Sequence, residues 1–312
     1  MKLLLLGANG QVGHELRGVL GRLGELVCAT RSGSLADGRA CMRVDLADAD
    51  SIAAALDTAR PDIVVNAAAY TAVDRAEDES ELADAVNHRA LAQIGAWAAA
   101  QGALVLHYST DYVFDGQASR PYTEADATGP TSVYGRSKLA GEQALRDSGA
   151  DHFIVRTAWV YASHGGNFLR TMLRLGAERD QLNVVADQIG APTPAAWIAR
   201  STAELLRRWL ALPVADRRQS LGTYHLTASG HCSWFDFASA IMQEGVKAGV
   251  LAQAPTLHAI PASSYPTRAT RPAWSVLDTS KLTLVFGLAL PDWREGVVEV
   301  IAQLAAARPQ QE

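Results

Sequence analysis

Tyr134 and Lys138 are the residues of this 312-residue chain whose types and spacing point most directly to chemistry. They are four positions apart, so a helix that contains both places them on one face. A tyrosine with the ordinary pKa of about 10 is a weak acid or base at neutral pH, and a neighbouring ammonium favours its ionised form. Thr110 follows an apolar run and adds a hydroxyl that can bind a carbonyl oxygen. Together the three side chains predict proton transfer to a carbonyl substrate.

A glycine-rich turn, residues 7–13 with the sequence GANGQVG, separates the first apolar run from the first predicted helix. Glycine allows a tight turn, a close approach of backbone to phosphate and close packing of helix on strand, and the helix N-terminus supplies amide donors. Many turns need glycine, but this one directly follows a buried strand. We therefore predict a dinucleotide site rather than an ordinary turn.

The second predicted strand ends in Thr30, Arg31 and Ser32, with no carboxylate to hold the adenosine ribose hydroxyls. A guanidinium and a hydroxyl suit a 2′-phosphate, so we predict NADPH as the cofactor, with NADH also possible. The alternative is that Arg31 only faces solvent. Asp45 and Leu46 are predicted to contact the adenine, unless Asp45 is the N-cap of the next helix.

Alternating strands and helices must position these residues. Strands are predicted at 2–6, 26–29, 63–66, 104–108 and 152–156, and helices at 11–23, 51–59, 82–101, 137–148, 167–175, 197–210, 234–248 and 293–307. This order predicts an α/β fold, a Rossmann-like doubly wound parallel sheet with a smaller C-terminal substrate-binding lobe. Residues 1–160 are assigned mainly to NAD(P) binding. Residues 161–312 are assigned mainly to the substrate lobe, with some segments returning to the sheet.

The sequence also predicts the cap of the second helix, an irregular proline-rich segment and the apolar face of the last helix. We expect Ser51 or Asp50 to cap the second helix. Residues 254–279 contain four prolines and are predicted to be irregular. In the last helix, one face is predicted to carry these apolar residues: Val297, Val298, Ile301 and Leu304.

Composition excludes several classes of protein. The net charge of −5 with no basic run predicts no nucleic-acid partner. Cys28, Cys41 and Cys232 are far apart, which indicates a reducing compartment without disulfides or zinc. No apolar stretch has the length of a signal peptide core or a membrane span, so we expect a cytoplasmic protein with no membrane partner. Four histidines without ligand-spaced neighbours are interpreted as structural: His14, His107, His231 and His258.

Longer stretches resemble one enzyme family. The turn, Thr110, Tyr134 and Lys138 in this order resemble the extended short-chain dehydrogenase/reductase superfamily. More closely, the following stretches are similar to dTDP-4-dehydrorhamnose reductases: 66–74 (NAAAYTAVD), 109–116 (STDYVFDG), 134–142 (YGRSKLAGE), 156–161 (RTAWVY), 187–193 (DQIGAPT) and 277–282 (LDTSKL). The resemblance runs in order over nearly the whole chain and is more specific than any single motif.

The resemblance implies NADPH-dependent reduction of the C4 keto group of dTDP-4-dehydro-L-rhamnose to dTDP-L-rhamnose, for cell-surface polysaccharide. Tyr134 would donate the proton, Lys138 would hold the nicotinamide ribose, and Thr110 would orient the keto oxygen. The predicted cofactor-binding residues are Gly7, Asn9, Gly10, Gln11, Val12, Gly13, Arg31, Ser32, Asp45, Leu46, Ala67, Ala68, Ala69, Tyr70, Thr71, Tyr108, Tyr134 and Lys138. The predicted substrate-binding residues are Val73, Thr110, Asp111, Tyr134, Trp159, Asn167 and Gln188.

Two alternatives remain at this point. A nucleotide-sugar 4,6-dehydratase or 4-epimerase is one, although a dehydratase commonly has Asp-Glu after the threonine and this chain has Asp111-Tyr112. The other is a non-catalytic regulatory subunit that resembles the family, which the intact Thr110, Tyr134 and Lys138 disfavour.

Some members of the family form dimers bridged by magnesium, which requires several carboxylate ligands. Glu15 matches one of these positions, but residues 194–196 read PAA and Gln303 stands where an acid is expected. We therefore predict a monomer or weak homodimer without a bridging magnesium, and no metal-binding residues.

Overall fold

The computed structural model describes residues 1–307. Its strands are β1 (Lys2–Leu6), β2 (Glu25–Thr30), β3 (Met42–Arg43), β4 (Ile63–Asn66), β5 (Leu104–Thr110), β6 (His152–Thr157), β7 (Val160–Tyr161), β8 (Gln181–Val185), β9 (Ile189–Gly190), β10 (Thr193–Pro194), β11 (Gly222–His225), β12 (Cys232–Ser233) and β13 (Thr256–Ile260). Seven of them form a parallel sheet in the order β11-β6-β5-β4-β1-β2-β3. The predicted doubly wound sheet is confirmed.

The helices cover both faces of this sheet. They are α1 (Gln11–Leu20), α2 (Ala49–Ala59), α3 (Val73–Ala76), α4 (Ser80–Asp84), α5 (Ala90–Gln101), α6 (Val133–Asp147), α7 (Phe168–Glu178), α8 (Ala195–Ala211), α9 (Val214–Arg217), α10 (Trp234–Lys247), α11 (Ser280–Phe286) and α12 (Trp293–Ala306). A π-helical turn, Ala85–Arg89, lies between α4 and α5. Short 3₁₀ turns are Asp111–Val113, Arg218–Ser220 and Ala262–Ser264.

The leucines of β1 show why its apolar run forms a central strand. Successive side chains of a strand point to opposite faces, and a parallel sheet covered by helices buries both. Leu3 and Leu5 pack in a core with α1, α8 and α10, whereas Leu4 and Leu6 pack in a second core with α2 and α5. The strand order reverses beside β1, with β2 on one side and β4 on the other. Such a reversal opens a crevice at the carboxyl ends of the strands.

Several local predictions are wrong. Asp48, not Asp50 or Ser51, caps α2, because its side chain accepts hydrogen bonds from the backbone N–H groups of both. The segment predicted to be irregular contains β13, which pairs in parallel with β8 outside the central sheet. Val298 is 46% exposed, because it lies beside the buried face of α12 rather than on it.

The C-terminal half builds onto the sheet rather than standing apart. β11 joins the sheet edge beside β6, and α8 packs against α1. Three two-stranded sheets lie outside the main one: β10 with β7, β12 with β9, and β13 with β8. Among residues 1–307, no helix has both the length and the apolar character needed to cross a membrane.

Candidate active site

A cleft of about 710 Å³ opens at the carboxyl ends of the central strands, where the strand order reverses. Most of the predicted cofactor-binding residues line it: Gly7, Asn9, Gly10, Gln11, Val12, Arg31, Ser32, Asp45, Leu46, Ala67, Ala68, Ala69, Thr71, Tyr108, Tyr134 and Lys138. Gly13 and Tyr70 are not among its lining residues. Gly165 and Gly166, which the sequence did not suggest, also line the cleft.

The glycine turn is shaped by close backbone contacts. Gly7 has a φ of +79°, and a Cβ there would lie 2.7 Å from the backbone nitrogen of Ala68. A Cβ on Gly13 would collide with the carbonyl oxygen of Gly7, so Gly13 serves helix–strand packing, as predicted. Gly10 is the N-cap of α1 and provides no side chain to bond the first amides of the helix. The positive end of α1 therefore faces the cleft with free donors.

The loop after β2 is fixed by Asn9. Its Nδ2 donates to the carbonyl oxygen of Ser34 at 2.9 Å, and its Oδ1 accepts from the N–H of Ala36 at 2.9 Å. Arg31 and Ser32, at the start of this loop, are exposed at the rim of the cleft. Asp45 is not the cap of α2 and instead lines the cleft wall.

Tyr134 and Lys138 lie on one buried face of α6. The helix begins at Val133 rather than at the predicted residue 137, because Ser132 caps it by accepting from the N–H of Gly135 at 3.1 Å. Lys138 Nζ donates to the carbonyl oxygen of Tyr108 at 2.7 Å and lies 3.0 Å from His107 Nε2. The lysine is thus bound to β5, the strand that carries Thr110.

Burial sets the protonation of this pair. Burial raises the pKa of Tyr134 to about 12, against a hydrogen bond with Thr110 that lowers it. Burial also lowers the pKa of Lys138 to about 7, while the charge of Glu142 raises it. In the chain by itself, burial therefore moves the Tyr134 pKa upwards, opposite to the shift expected from an adjacent ammonium. Tyr134 keeps its proton, as a proton donor must.

Thr110 is the last residue of β5 rather than the start of the following loop. Its hydroxyl donates to Asp111 Oδ1 at 2.9 Å, and both side chains are buried. Burial raises the pKa of Asp111 to about 6. This carboxyl group therefore orients the threonine hydroxyl next to Tyr134.

On the predicted substrate side, Trp159 has a φ of +46° and stacks on Trp234 with ring centroids 3.5 Å apart. A side chain on Gly190 would collide with the Trp159 indole, so this glycine makes room for the stack. Val73 packs in the apolar cluster around Tyr134.

For two further residues that were predicted to bind the substrate, the structure shows only their surroundings within the chain. Asn167 caps α7 through its Oδ1, which accepts from the N–H of Arg170 at 3.0 Å, and its Nδ2 donates to Gln11 Oε1 at 3.0 Å. Gln188 is half-buried just before β9. A substrate contact of either residue stays a prediction.

Sequence reasoning missed Asn87, which lies in the π-helical turn. Its Oδ1 accepts from the N–H of Tyr70 at 2.9 Å, and its Nδ2 donates to Ser137 Oγ at 3.0 Å. It thereby joins the loop after β4 to α6. The Tyr70 hydroxyl donates to Glu79 at 2.6 Å, away from the cleft lining. No sequence pattern marked Asn87, because the π turn is not visible in apolar periodicity.

Glu15 is bound within the chain. Its Oε1 accepts from His164 Nε2 at 2.8 Å, on the loop that crosses the N-terminus of α1. Within residues 1–307 the structure contains no group of three or more His, Cys, Asp or Glu side chains placed to hold a metal ion.

Comparison with known proteins agrees with this geometry. The family model described as the RmlD substrate binding domain matches residues 1–306. The dTDP-4-dehydrorhamnose reductase of Escherichia coli K12 is 45% identical over 304 residues, which cover 97% of this chain and 98% of that protein. The corresponding protein of Burkholderia thailandensis is 46% identical over 299 residues, which cover 95% of this chain and 97% of that protein.

Two solved structures are similar to this chain over nearly its whole length. A dTDP-4-dehydrorhamnose reductase from Bacillus anthracis, solved in complex with NADP, has a TM-score of 0.85 and 32% identity, covering 97% of this chain and 99% of that one. The UDP-glucose 4-epimerase of Thermus thermophilus, at 20% identity and a TM-score of 0.77, shares the fold.

A doubly wound sheet that gathers a threonine, a tyrosine and a lysine at one edge of its cleft is an arrangement of NAD(P)H-dependent oxidoreductases of the short-chain dehydrogenase/reductase type, and the relatives of this chain are such oxidoreductases. The near-full-length matches narrow this class: the chain belongs to the dTDP-4-dehydrorhamnose reductase family. The predicted fold class, family and enzyme class are confirmed.

Proposed function

We propose that the protein reduces the C4 keto group of dTDP-4-dehydro-L-rhamnose with NADPH and releases dTDP-L-rhamnose, the last step in making this sugar donor for cell-surface polysaccharide. The observation that carries the proposal is the hydrogen bond between Thr110 and the buried Tyr134, which lines the cleft together with Lys138. Family membership supports the substrate class.

The residues present fit a dinucleotide cofactor. A Cβ on Gly7 would fill the cradle beside Ala68, and the uncapped N-terminus of α1 offers amide donors to a pyrophosphate. Arg31 at the rim suits a 2′-phosphate, and no carboxylate stands in the loop at residues 30–32 to repel it. Lys138, whose Nζ is fixed on β5, lines the cleft, which supports its proposed role of holding the nicotinamide ribose.

Bound NADPH supplies the hydride that the substrate carbon accepts. The Tyr134 hydroxyl gives the keto oxygen its proton, leaving a tyrosinate, and Thr110 binds the same oxygen when its hydroxyl turns from Asp111 to the substrate. The raised pKa of Tyr134, which burial brings to about 12, keeps the proton on the group that must deliver it. Asp111 orients Thr110, and the Trp159–Trp234 stack forms an apolar surface for the sugar.

We also infer how the chain is divided, where it works and how it assembles. Residues 1–160 mainly bind the cofactor and residues 161–312 mainly the substrate, with some segments of the second part returning to the sheet. The protein works in the cytoplasm. It acts as a monomer or weak homodimer without a bridging magnesium.

An assay of the purified protein with dTDP-4-dehydro-L-rhamnose and NADPH tests the function. Oxidation of NADPH together with formation of dTDP-L-rhamnose supports it. A 4-epimerase or dehydratase would convert a nucleotide sugar without net consumption of NADPH, and a regulatory subunit would convert none. Either result contradicts the proposal.

A further inference from the structure

Lys138 is the last member of a hydrogen-bonded row of three buried side chains, Asn66, His107 and Lys138. Hydride transfer by itself does not require the other two. Asn66 at the end of β4 and His107 in β5 are each 1% exposed, and Lys138 is 2% exposed. Asn66 Nδ2 lies 3.2 Å from His107 Nδ1, and His107 Nε2 lies 3.0 Å from Lys138 Nζ. Each of these hydrogen bonds needs one donor and one acceptor. If the donor at one end of the row is known, the position of the proton in every other hydrogen bond of the row follows.

The donor at one end of the row is a backbone amide. The N–H of Ala68 donates to Asn66 Oδ1 at 3.1 Å, and a backbone N–H only donates. The oxygen of Asn66 therefore faces Ala68, and its NH₂ group faces His107. Since an amide NH₂ donates, His107 Nδ1 must accept. A neutral imidazole that accepts at Nδ1 carries its proton on Nε2.

The Nε2–H of His107 then donates to Lys138 Nζ, which requires a lone pair on the lysine nitrogen. An ammonium has no lone pair, whereas a neutral amine has one, together with two N–H groups. One of these donates to the carbonyl oxygen of Tyr108 at 2.7 Å, and the other is left for the cleft that Lys138 lines. A charged lysine would force a proton onto His107 Nδ1, where it would face the Asn66 NH₂ group.

We propose that His107, oriented by Asn66, is a positioning residue that holds Lys138 as a neutral amine in the ligand-free protein in mildly alkaline solution. Tyr134, one helical turn away, then has no ammonium beside it and keeps the proton it must donate. This role goes beyond the interpretation of His107 as a structural histidine. The proposal rests on the roles proposed for Tyr134 and Lys138.

The charges around Lys138 agree with this arrangement. Burial lowers the pKa of His107 well below its usual range, so the ring is neutral. Glu142, one turn further along α6, favours the ammonium, but its carboxylate is bound by Arg156 of β6 at 2.7 and 2.9 Å. Tyr108 and Tyr134 are both protonated, because burial raises the pKa of each.

NMR of the whole, ligand-free protein tests the proposal without requiring turnover, so its failure is distinct from failure of the proposed reaction. The chain has four lysines, so selective ¹³Cε labelling gives four signals, and Lys138→Met assigns one of them. At about pH 8 we expect Lys138 to be uncharged, whereas a lysine side chain in water, with a pKa of about 10.4, is charged. Selective ¹⁵N labelling of histidine should show His107 with a bare Nδ1 and a protonated Nε2. A protonated Nδ1, or a Lys138 signal that titrates near 10.4 as a lysine side chain does in water, overturns the proposal.

A double-mutant cycle separates the effect of His107 on the Lys138 pKa from the effect of burial alone. In Asn66→Asp the carboxylate still accepts from Ala68, but it also accepts from His107 Nδ1, so Nε2 loses its proton and Lys138 becomes charged. The added charge alone also raises the lysine pKa, so the same substitution is made in a His107→Leu background. We expect Asn66→Asp to raise the Lys138 pKa by about one unit more, a tenfold change in the equilibrium, when His107 is present than in the His107→Leu background. Equal rises of the Lys138 pKa in the two backgrounds contradict the proposal. If a variant fails to fold, the spectra of the unsubstituted protein still decide it.

Discussion

Arg156 and Glu142 form a buried bidentate ion pair that ties α6 to β6, with Nε–Oε1 and Nη2–Oε2 distances of 2.9 and 2.7 Å. The side chains are 3% and 0% exposed. Glu142 follows Lys138 by one helical turn, so the pair fixes the rotation of the helix that carries both reactive side chains. The guanidinium also lies over the Phe114 ring, 5.0 Å from its centroid.

Removing one partner of this pair leaves a buried charge unpaired. We expect Glu142→Gln to lower the free energy of unfolding by about 3–5 kcal/mol, measured by denaturant unfolding. The matched control is Glu178→Gln, which removes an exposed pair with Arg174 and should cost less than about 1 kcal/mol. Equal losses would mean that the buried pair is no stronger than a surface pair.

The same pair predicts a pH dependence. Burial opposes ionisation of Glu142, but the hydrogen bonds and charge of Arg156 hold its pKa below its usual range. A carboxylate with a lowered folded-state pKa stabilises the protein fully above its unfolded pKa of about 4.3, and that stability is lost as the pH falls through the folded value. The difference between wild type and Glu142→Gln should therefore shrink in acid. A constant difference would contradict this assignment.

Tyr134→Phe keeps the aromatic packing against Tyr112 but removes the hydroxyl proton. We expect turnover to fall roughly 10²–10⁴-fold, the usual contribution of a positioned general acid, with NADPH binding unchanged. Tyr265→Phe, at a side chain that is 59% exposed, is the control and should behave as wild type. Steady-state rates and a fluorescence titration of NADPH measure the two effects. Near-normal turnover would remove Tyr134 from the mechanism.

Arg31 is expected to favour NADPH over NADH. Charge-assisted hydrogen bonds contribute about 1.5–3 kcal/mol each, so the preference in kcat/KM should be one to two orders of magnitude. Arg31→Ala should remove most of it, whereas Arg22→Ala, at another exposed arginine beyond α1, should not. If wild type and Arg31→Ala both use the two cofactors equally well, Arg31 does not read the 2′-phosphate.

The contact of Glu15 with His164 leads us to expect a monomer or weak dimer that does not depend on magnesium. Sedimentation velocity, run once with magnesium and once with a chelator, should give the same species. A tight dimer that dissociates when magnesium is removed would contradict this expectation.

The sequence predicted the parts of the site that local patterns encode. The leucines of β1, the glycine turn and the four-residue spacing of Tyr134 and Lys138 are visible as periodicity and spacing. The partners of Lys138 were not predictable, because the contacts to Tyr108 and His107 join residues about 30 positions apart across a strand and a helix.

Tertiary packing also explains the local errors. β13 forms because β8 offers it an edge, a partner that nearby prolines do not reveal. The α2 cap depended on Asp48, a side chain three residues before the predicted start of the helix. The direction of the Tyr134 pKa depends on burial, which spacing does not show.

The central claim is that this cleft delivers hydride to C4 of a keto sugar while Tyr134 protonates its oxygen. The most direct test supplies NADPH with deuterium in place of both hydrogens of nicotinamide C4, together with dTDP-4-dehydro-L-rhamnose, and examines the product by NMR and mass spectrometry. The account predicts dTDP-L-rhamnose with one deuterium, on C4 of the sugar. A product without deuterium, or with deuterium on another carbon, would contradict it.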